Sequence, residues 1–221
     1  MKLHRQCLAD SKQNKERNDL RSWIKNNAPA VNLPDIFKKK FIKDIDWKFN
    51  QVYNSNDYAI IQRYMMEVNC CSTTGLYIIG PTGTGKSHMI AMVHRKSLYR
   101  GILGLYATED EIKDSIATKF GGEPEHFDKY KKAFVLSIND FAKHQMTDAF
   151  HSEYEALIDY RYNKNLVTHI TSNIPIEMAV TIVGNRIMDR LNERTTLLEF
   201  GGDSYREYIK QKIENEEVVP F

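Results

Sequence analysis

Residues 80–87 read Gly80-Pro81-Thr82-Gly83-Thr84-Gly85-Lys86-Ser87, which fits the phosphate-binding pattern G-x-x-x-x-G-K-[ST]. The flanks agree with it. Leu76, Tyr77, Ile78 and Ile79 form a short apolar run that predicts a strand ending at Gly80. Met89, Ile90 and Val93 then recur at helical spacing. Strand, glycine-rich loop and helix are what a phosphate needs: backbone N–H groups surround the β-phosphate, and the helix N-terminus adds its dipole. Glycine lets the backbone come close at positive φ. In this arrangement Lys86 sits between the β- and γ-phosphates, and Ser87 places its hydroxyl on Mg²⁺. The cradle takes in residues 80–87 together with His88.

Outward from the loop, apolar runs alternate with helical patterns. Strands are expected at 76–79, 102–107, 133–138, 166–170 and 196–200. Helices are expected after residue 87, after the capping box Thr108-Glu109-Asp110-Glu111, and over 148–162, 176–182, 186–192 and 204–216. Tyr154, Leu157, Ile158 and Tyr162 lie along one side of the 148–162 helix. Such alternation predicts a parallel sheet with helices on both faces. Before the loop, a capped helix carries Ile60, Ile61, Tyr64, Met65 and Val68.

The third strand, Phe134-Val135-Leu136-Ser137-Ile138-Asn139-Asp140, is a hydrophobic strand followed by an acid, the Walker B pattern. A nucleotide hydrolase needs acidic groups there for Mg²⁺ and for the attacking water. Asn139 stands where an Asp is usual. Its amide oxygen still accepts but carries no charge, so it holds a metal-bound water less strongly. Asp140 remains as the water-orienting carboxylate. Asn173, just past the fourth strand, is either a loop residue or a contact to the γ-phosphate or attacking water, the sensor 1 role. Arg186 and Arg190, four apart on one helix face, and Arg206, after the fifth strand, are either surface ion-pair partners or groups that neutralise developing phosphate charge.

The 221 residues carry a net charge of +2. Residues 1–50 hold 12 Lys/Arg and 6 Asp/Glu, so the remainder is about −4 by subtraction. Phe37 to Trp47 interleaves Lys38, Lys39, Lys40 and Lys43 with aromatic and aliphatic residues; this is either a nucleic-acid contact or a solvated face beside a buried one. Residues 1–27 read as a polar helix whose narrow stripe, Leu20, Trp23 and Ile24, docks on the main domain or on a partner. Cys7, Cys70 and Cys71 have no zinc-like spacing, which points to a reducing, cytoplasmic setting. The N-terminus lacks the apolar core of a signal peptide. No apolar run approaches the roughly 18 residues that cross a membrane.

GPTGTGKS, FVLSIND, LVTHITSNIP, GNRIMDRL and FGGDSYR, at these intervals, resemble the AAA+ helicase-loader and transposition-helper group of the DnaC/IstB type over roughly residues 35–210. The resemblance implies an α/β fold: a AAA+ P-loop core (35–221) with a five-stranded parallel sheet between helices, preceded by a short helical extension (1–34). It implies ATP bound between neighbouring subunits of a homo-oligomer. Arg190 would be the arginine finger acting in trans, with Arg186 as the alternative, and Arg206 would be sensor 2 in cis. Residues 1–30 become the candidate docking element for a hexameric replicative helicase, and the core would bind single-stranded DNA, with Lys113, Lys119 and Lys129 as candidate contacts. Two departures stand out: Asn139, and an N-terminal part without the cysteine set of zinc-containing loader extensions. A transposition helper acting on duplex DNA, and an ATP-bound inhibitor that scarcely hydrolyses, are the competing readings.

Overall fold

The computed structural model describes residues 33–34, 59–61, 63–64, 66, 72–100, 102, 104–122 and 125–217. The expected N-terminal helix with its Trp23 stripe, the Phe37–Trp47 segment, Met65, Val68 and the three cysteines lie outside these residues.

Five strands, β1 (Gly75–Ile79), β2 (Gly104–Thr108), β3 (Val135–Asn139), β4 (Val167–Ser172) and β5 (Thr195–Glu199), form one sheet of order β2-β3-β4-β1-β5. Every pairing is parallel, with Tyr77 opposite Ile170 and Leu197, and Ser137 opposite Tyr106 and His169. β1, β3 and β4 are buried along their whole length, as strands covered on both faces must be. Alternation along β1 sends its side chains into two cores. Leu76 and Ile78 pack with α1 (Lys86–Tyr99), Leu33 and Ile61. Tyr77 and Ile79 pack into the larger core under α2 (Glu109–Phe120), α3 (Glu125–Lys132), α4 (Asp148–Asn163), α5 (Ile176–Val183) and α6 (Asn185–Arg194). α7 (Tyr205–Glu217) closes the described chain.

Among the described residues the expected elements are present, with each end within two residues of its expected place. Thr108 caps α2 as a reciprocal box: its N–H donates to the Glu111 carboxylate at 2.8 Å, and its hydroxyl accepts from Glu111 N at 3.2 Å. Two features differ from the sequence reading. α3 was not expected; it is short and lysine-rich, and only Phe127 and Tyr130 anchor it in the core. In α4 the buried side is Phe150, Tyr154, Leu157, Ile158 and Arg161, not Tyr162. Tyr162 turns outward, its hydroxyl donating to Glu193 at 2.6 Å.

Two histidines are sealed in the interior. His94 Nδ1 on α1 lies 2.8 Å from Ser137 Oγ, and His169 Nδ1 on β4 accepts the Leu76 N–H at 3.1 Å. Burial pushes His94 down to about 4 and His169 to about 3, so both are neutral at pH 7. Because the folded values lie below the unfolded value near 6.5, this stability is fully present above about pH 6.5 and is lost as pH falls toward 4. Each histidine is expected to remove about 2 kcal/mol between pH 6.5 and 4.5. Urea midpoints across that range read the loss, and a His94→Gln variant should show a shallower decline. Parallel declines in the two proteins would refute the assignment to His94.

Candidate functional site

The C-terminal ends of β1, β3 and β4 meet where ligands bind in open parallel sheets. β1 runs directly into the glycine loop. Gly80 donates to Ser172 O at 3.2 Å and has φ 144, and a Cβ there would lie 1.9 Å from Phe200 O. Gly83 has φ 89, and its Cβ would meet Ser204 Oγ at 2.3 Å. Tyr205 N donates to Gly83 O at 3.1 Å. The loop is thus held between β4 on one side and the start of α7 on the other. α1 opens from Gly85 with no side-chain cap, so no capping side chain competes for its first-turn N–H groups. That is the arrangement an anion requires.

Lys86 is 5% exposed. Its ammonium donates to Pro81 O at 2.6 Å, an oxygen that also accepts from the Thr84 hydroxyl at 2.9 Å. Burial pulls the Lys86 ammonium down to about 8; Asp140 draws it up and Arg206 pushes it further down. A cation whose nearest acceptor is a carbonyl is poised to accept an anionic ligand.

Asp140 is left-handed, at φ 59. Its carboxylate is held by two amides: Asn139 Nδ2 donates to Oδ2 at 2.8 Å, and Asn173 Nδ2 to Oδ1 at 3.2 Å. The Asn139 orientation follows from its other neighbour. The Thr171 hydroxyl accepts the Asp140 N–H at 3.2 Å, so its own proton goes to Asn139 Oδ1 at 2.8 Å. That leaves the Asn139 NH₂ facing Asp140. Asn139 therefore spends its oxygen on Thr171 and acts on the carboxylate as a donor.

A cavity of about 740 Å³ lies over these groups. Thr82, Gly83, Gly85, Lys86, Ser87 and His88 line it from the loop and α1, Asn139, Asp140 and Asn173 from the ends of β3 and β4, and Arg206 from α7. Gly80, Pro81 and Thr84, also expected in the cradle, do not line the cavity. Ser87 and Asp140 present oxygens suited to a divalent cation. Among the described residues no three His, Cys, Asp or Glu converge, so a cation here would draw most of its ligands from phosphate and water, as Mg²⁺ does. The sequence reading did not include Pro34, Tyr106, Thr108, Tyr205 and Ile209, which also line the cavity. Thr108 sits at the C-terminal end of β2, a place the strand-end rule could have marked, and Tyr106 is two residues before it.

Arg186 and Arg190 stand apart from this cavity. Arg190 Nε lies 2.7 Å from Asp159 Oδ1 on α4, and its guanidinium is 5.7 Å from the Tyr162 ring centre. Arg186 pairs with Glu155 at 2.6 Å and Asp159 at 2.9 Å and is the more exposed of the two. Lys119 is engaged with Glu153 and lies 5.6 Å from the Phe127 ring centre, while Lys129 lies 4.9 Å from that of Tyr130.

Residues 12–214 match the family described as IstB-like ATP binding protein. The chain belongs to this family. Chromosomal replication initiator protein DnaA of Campylobacter jejuni is 32% identical over 105 residues, 47% of this chain and 24% of that protein. Replicative helicase loader DnaC of Escherichia coli K12 is 25% identical over 138 residues, 60% of this chain and 56% of that protein. The chain thus spans about a quarter of the initiator's length and about half of the loader's. Among solved structures, DnaI has a TM-score of 0.66 at 20% identity, covering 76% of this chain and 95% of that one. The DnaC helicase loader has 0.59 at 21%, covering 66% and 89%. AMPPCP-bound DnaA from Aquifex aeolicus has 0.66 at 16%, covering 85% and 59%. These likenesses establish the AAA+ P-loop fold for this IstB-family, ATP-binding chain. No helix among the described residues is long and apolar enough to cross a membrane.

Proposed function

We propose that this IstB-family protein is an ATPase that places a hexameric replicative helicase on single-stranded DNA during DNA replication. The observation that carries the ATPase half is the convergence of Lys86, Ser87, Asp140, Asn173 and Arg206 on one cavity at the strand ends. The replication half is supported by similarity to a replicative helicase loader and to replication initiators.

In this reading Lys86 leaves Pro81 O for the β- and γ-phosphate oxygens, and Arg206 neutralises the γ-phosphate from α7. The Ser87 hydroxyl and Asp140 are the protein groups that would hold Mg²⁺, which would supply charge neutralisation at the phosphates. Asp140 orients the attacking water, while Asn139 and Asn173 fix the plane of its carboxylate. Arg190 serves the ATP site of a neighbouring subunit, with Arg186 as the alternative. That role requires the chosen arginine to exchange its α4 partners Asp159 and Glu155 for phosphate.

One observation favours a second reading, an ATP-bound helicase-binding module with slow turnover: Asn139 contributes no charge to the site and directs its NH₂ at Asp140. The two readings share the partner and differ in hydrolysis. The test is a pull-down with a hexameric replicative helicase in ATP, comparing the full chain with one beginning at Pro34. The full chain is expected to retain the helicase and the shortened chain to lose it. Retention by both would remove residues 1–30 as the docking element, and retention by neither would remove the helicase as partner. Single-turnover hydrolysis no faster than in Lys86→Ala would leave the slow-turnover reading.

A further inference from the structure

We propose that Glu109 is a positioning residue for Asp140: its buried carboxylate fastens the strained turn on which Asp140 is carried. The inference rests on the reading of Asp140 as the water-orienting group, and it adds a residue from a different strand end.

Glu109 is the first residue of α2, yet it is 3% exposed. A carboxylate at so buried a position has to recover its lost hydration through hydrogen bonds. Its partners are the turn after β3. Oε1 accepts from Ala142 N at 2.8 Å, and Oε2 accepts from Lys143 N at 2.9 Å. The capping box leaves Glu109 free for this, because Glu111 is the member that reaches back to Thr108.

The turn needs such a fastening. Asp140 and Ala142 both adopt positive φ, 59 and 57, a conformation that an alanine holds only when its surroundings impose it. Phe141, between them, is buried between Tyr77 and Tyr154, with ring centres 6.0 and 6.1 Å away. Its N–H donates to Thr171 O at 2.9 Å, and its carbonyl accepts from the Ser172 hydroxyl at 2.9 Å. β4 therefore fixes the first half of the turn, and among the described residues Glu109 is the side chain that fixes the amides of the second half. Without the carboxylate, Ala142 loses the bond that holds it left-handed, and the turn can relax by rotating Asp140 away from Asn139 and Asn173. The lysine side chain of residue 143 pairs separately with Asp110 at 3.0 Å and does not share this task.

Glu109→Gln tests the inference at nearly constant volume, since it sets an NH₂ against a backbone N–H where an oxygen had accepted. Hydrogen exchange at Ala142 and Lys143 is expected to quicken about tenfold or more, with exchange at Tyr77–Ile79 unchanged. Single-turnover hydrolysis should fall roughly 10- to 100-fold while the KM for ATP moves less than about threefold. Unchanged exchange at 142 and 143 would overturn the clamp. A loss of rate and of Mg²⁺-free ATP affinity by one common factor would make Glu109 merely structural. Glu109→Asp, too short to reach both amides, serves if the Gln variant does not fold. Should the wild-type chain itself turn over no faster than Lys86→Ala, the ATPase reading fails on its own. Glu109 is then judged by exchange together with the Mg²⁺-dependent gain in ATP affinity, which Glu109→Gln should abolish and a merely structural residue would leave intact.

Discussion

Lys86→Ala is expected to lower single-turnover ATP hydrolysis by about 10²- to 10³-fold, the scale for removing one preorganised donor from developing charge. It should also weaken ATP binding by about tenfold or more, the scale of a charge-assisted hydrogen bond. Three observations set this expectation. Lys86 is buried in the loop wall, its ammonium already points at a loop oxygen, Pro81 O, and among the described residues no carboxylate accepts from it. Replacing it by alanine leaves Pro81 O with the Thr84 hydroxyl, so the loop keeps a bond at that oxygen. The loss should therefore fall on ligand binding and turnover rather than on the fold, and the variant should unfold within a few degrees of wild type. The pH dependence is a second signature. Burial holds the free Lys86 ammonium near 8, and phosphate would raise it. Above pH 8 the free protein has lost the proton that the complex needs, so ATP affinity should fall by up to about tenfold per pH unit there. Calorimetry in buffers of different ionisation enthalpy should show proton uptake on binding at pH 8.5. The absence of uptake in wild type, or its persistence in Lys86→Ala, would refute the assignment.

The loop was legible because its chemistry is local. The sequence signals for strand, glycine loop and helix all lie between residues 76 and 93, and the structure has β1, the loop and α1 in that order. Asp140, Asn173 and Arg206 were legible for a related reason: each follows a strand, and parallel strands deliver their C-terminal ends to one edge. What stayed hidden depends on partners distant in sequence. The Asn139 amide could be oriented only once Thr171, 32 residues away, was seen to spend its proton on it. Glu109 read as part of a capping motif, and nothing local says that its carboxylate reaches a turn 33 residues later. α3 was missed because its apolar content is two aromatic residues among charges, too little to set a period. In each case the signal was a tertiary hydrogen bond or a packing contact.

Arg161 is the largest of these surprises, and Arg161→Met is expected to destabilise the fold by about 3–5 kcal/mol, the cost of depriving several buried acceptors of their donor. In sequence, Arg161 and Tyr162 sit side by side near the end of an amphipathic helix, and hydrophobicity favours the tyrosine for the core. The structure reverses them. Arg161 is 1% exposed, and its guanidinium donates to Tyr130 O at 2.8 Å, Ala133 O at 2.7 Å, Val167 O at 2.5 Å and the Thr168 hydroxyl at 2.9 Å. These acceptors lie at the end of α3, just before β3 and at the start of β4, so one side chain ties three element ends together. Five donors in a rigid fork suit the task, and tyrosine has one. The charge is matched by carbonyl dipoles, and by position, since Arg161 lies in the last turn of α4. Burial lowers its pKa to about 9, which still leaves it protonated at pH 7. Methionine would fill much of the stem's space but take a donor away from the Tyr130, Ala133 and Val167 carbonyls and from the Thr168 hydroxyl, an acceptor left wholly unpaired costing about 1–3 kcal/mol before relaxation. For a chain of this size that corresponds to a fall in Tm of roughly 10 °C. Arg161→Lys, which keeps the charge but only part of the fork, should fall between the two. Tyr162→Met, one residue along, should shift Tm little, because its hydroxyl meets Glu193 at the surface. Equal losses at 161 and 162 in calorimetric scans would show that the helix end, and not the guanidinium, holds this corner together.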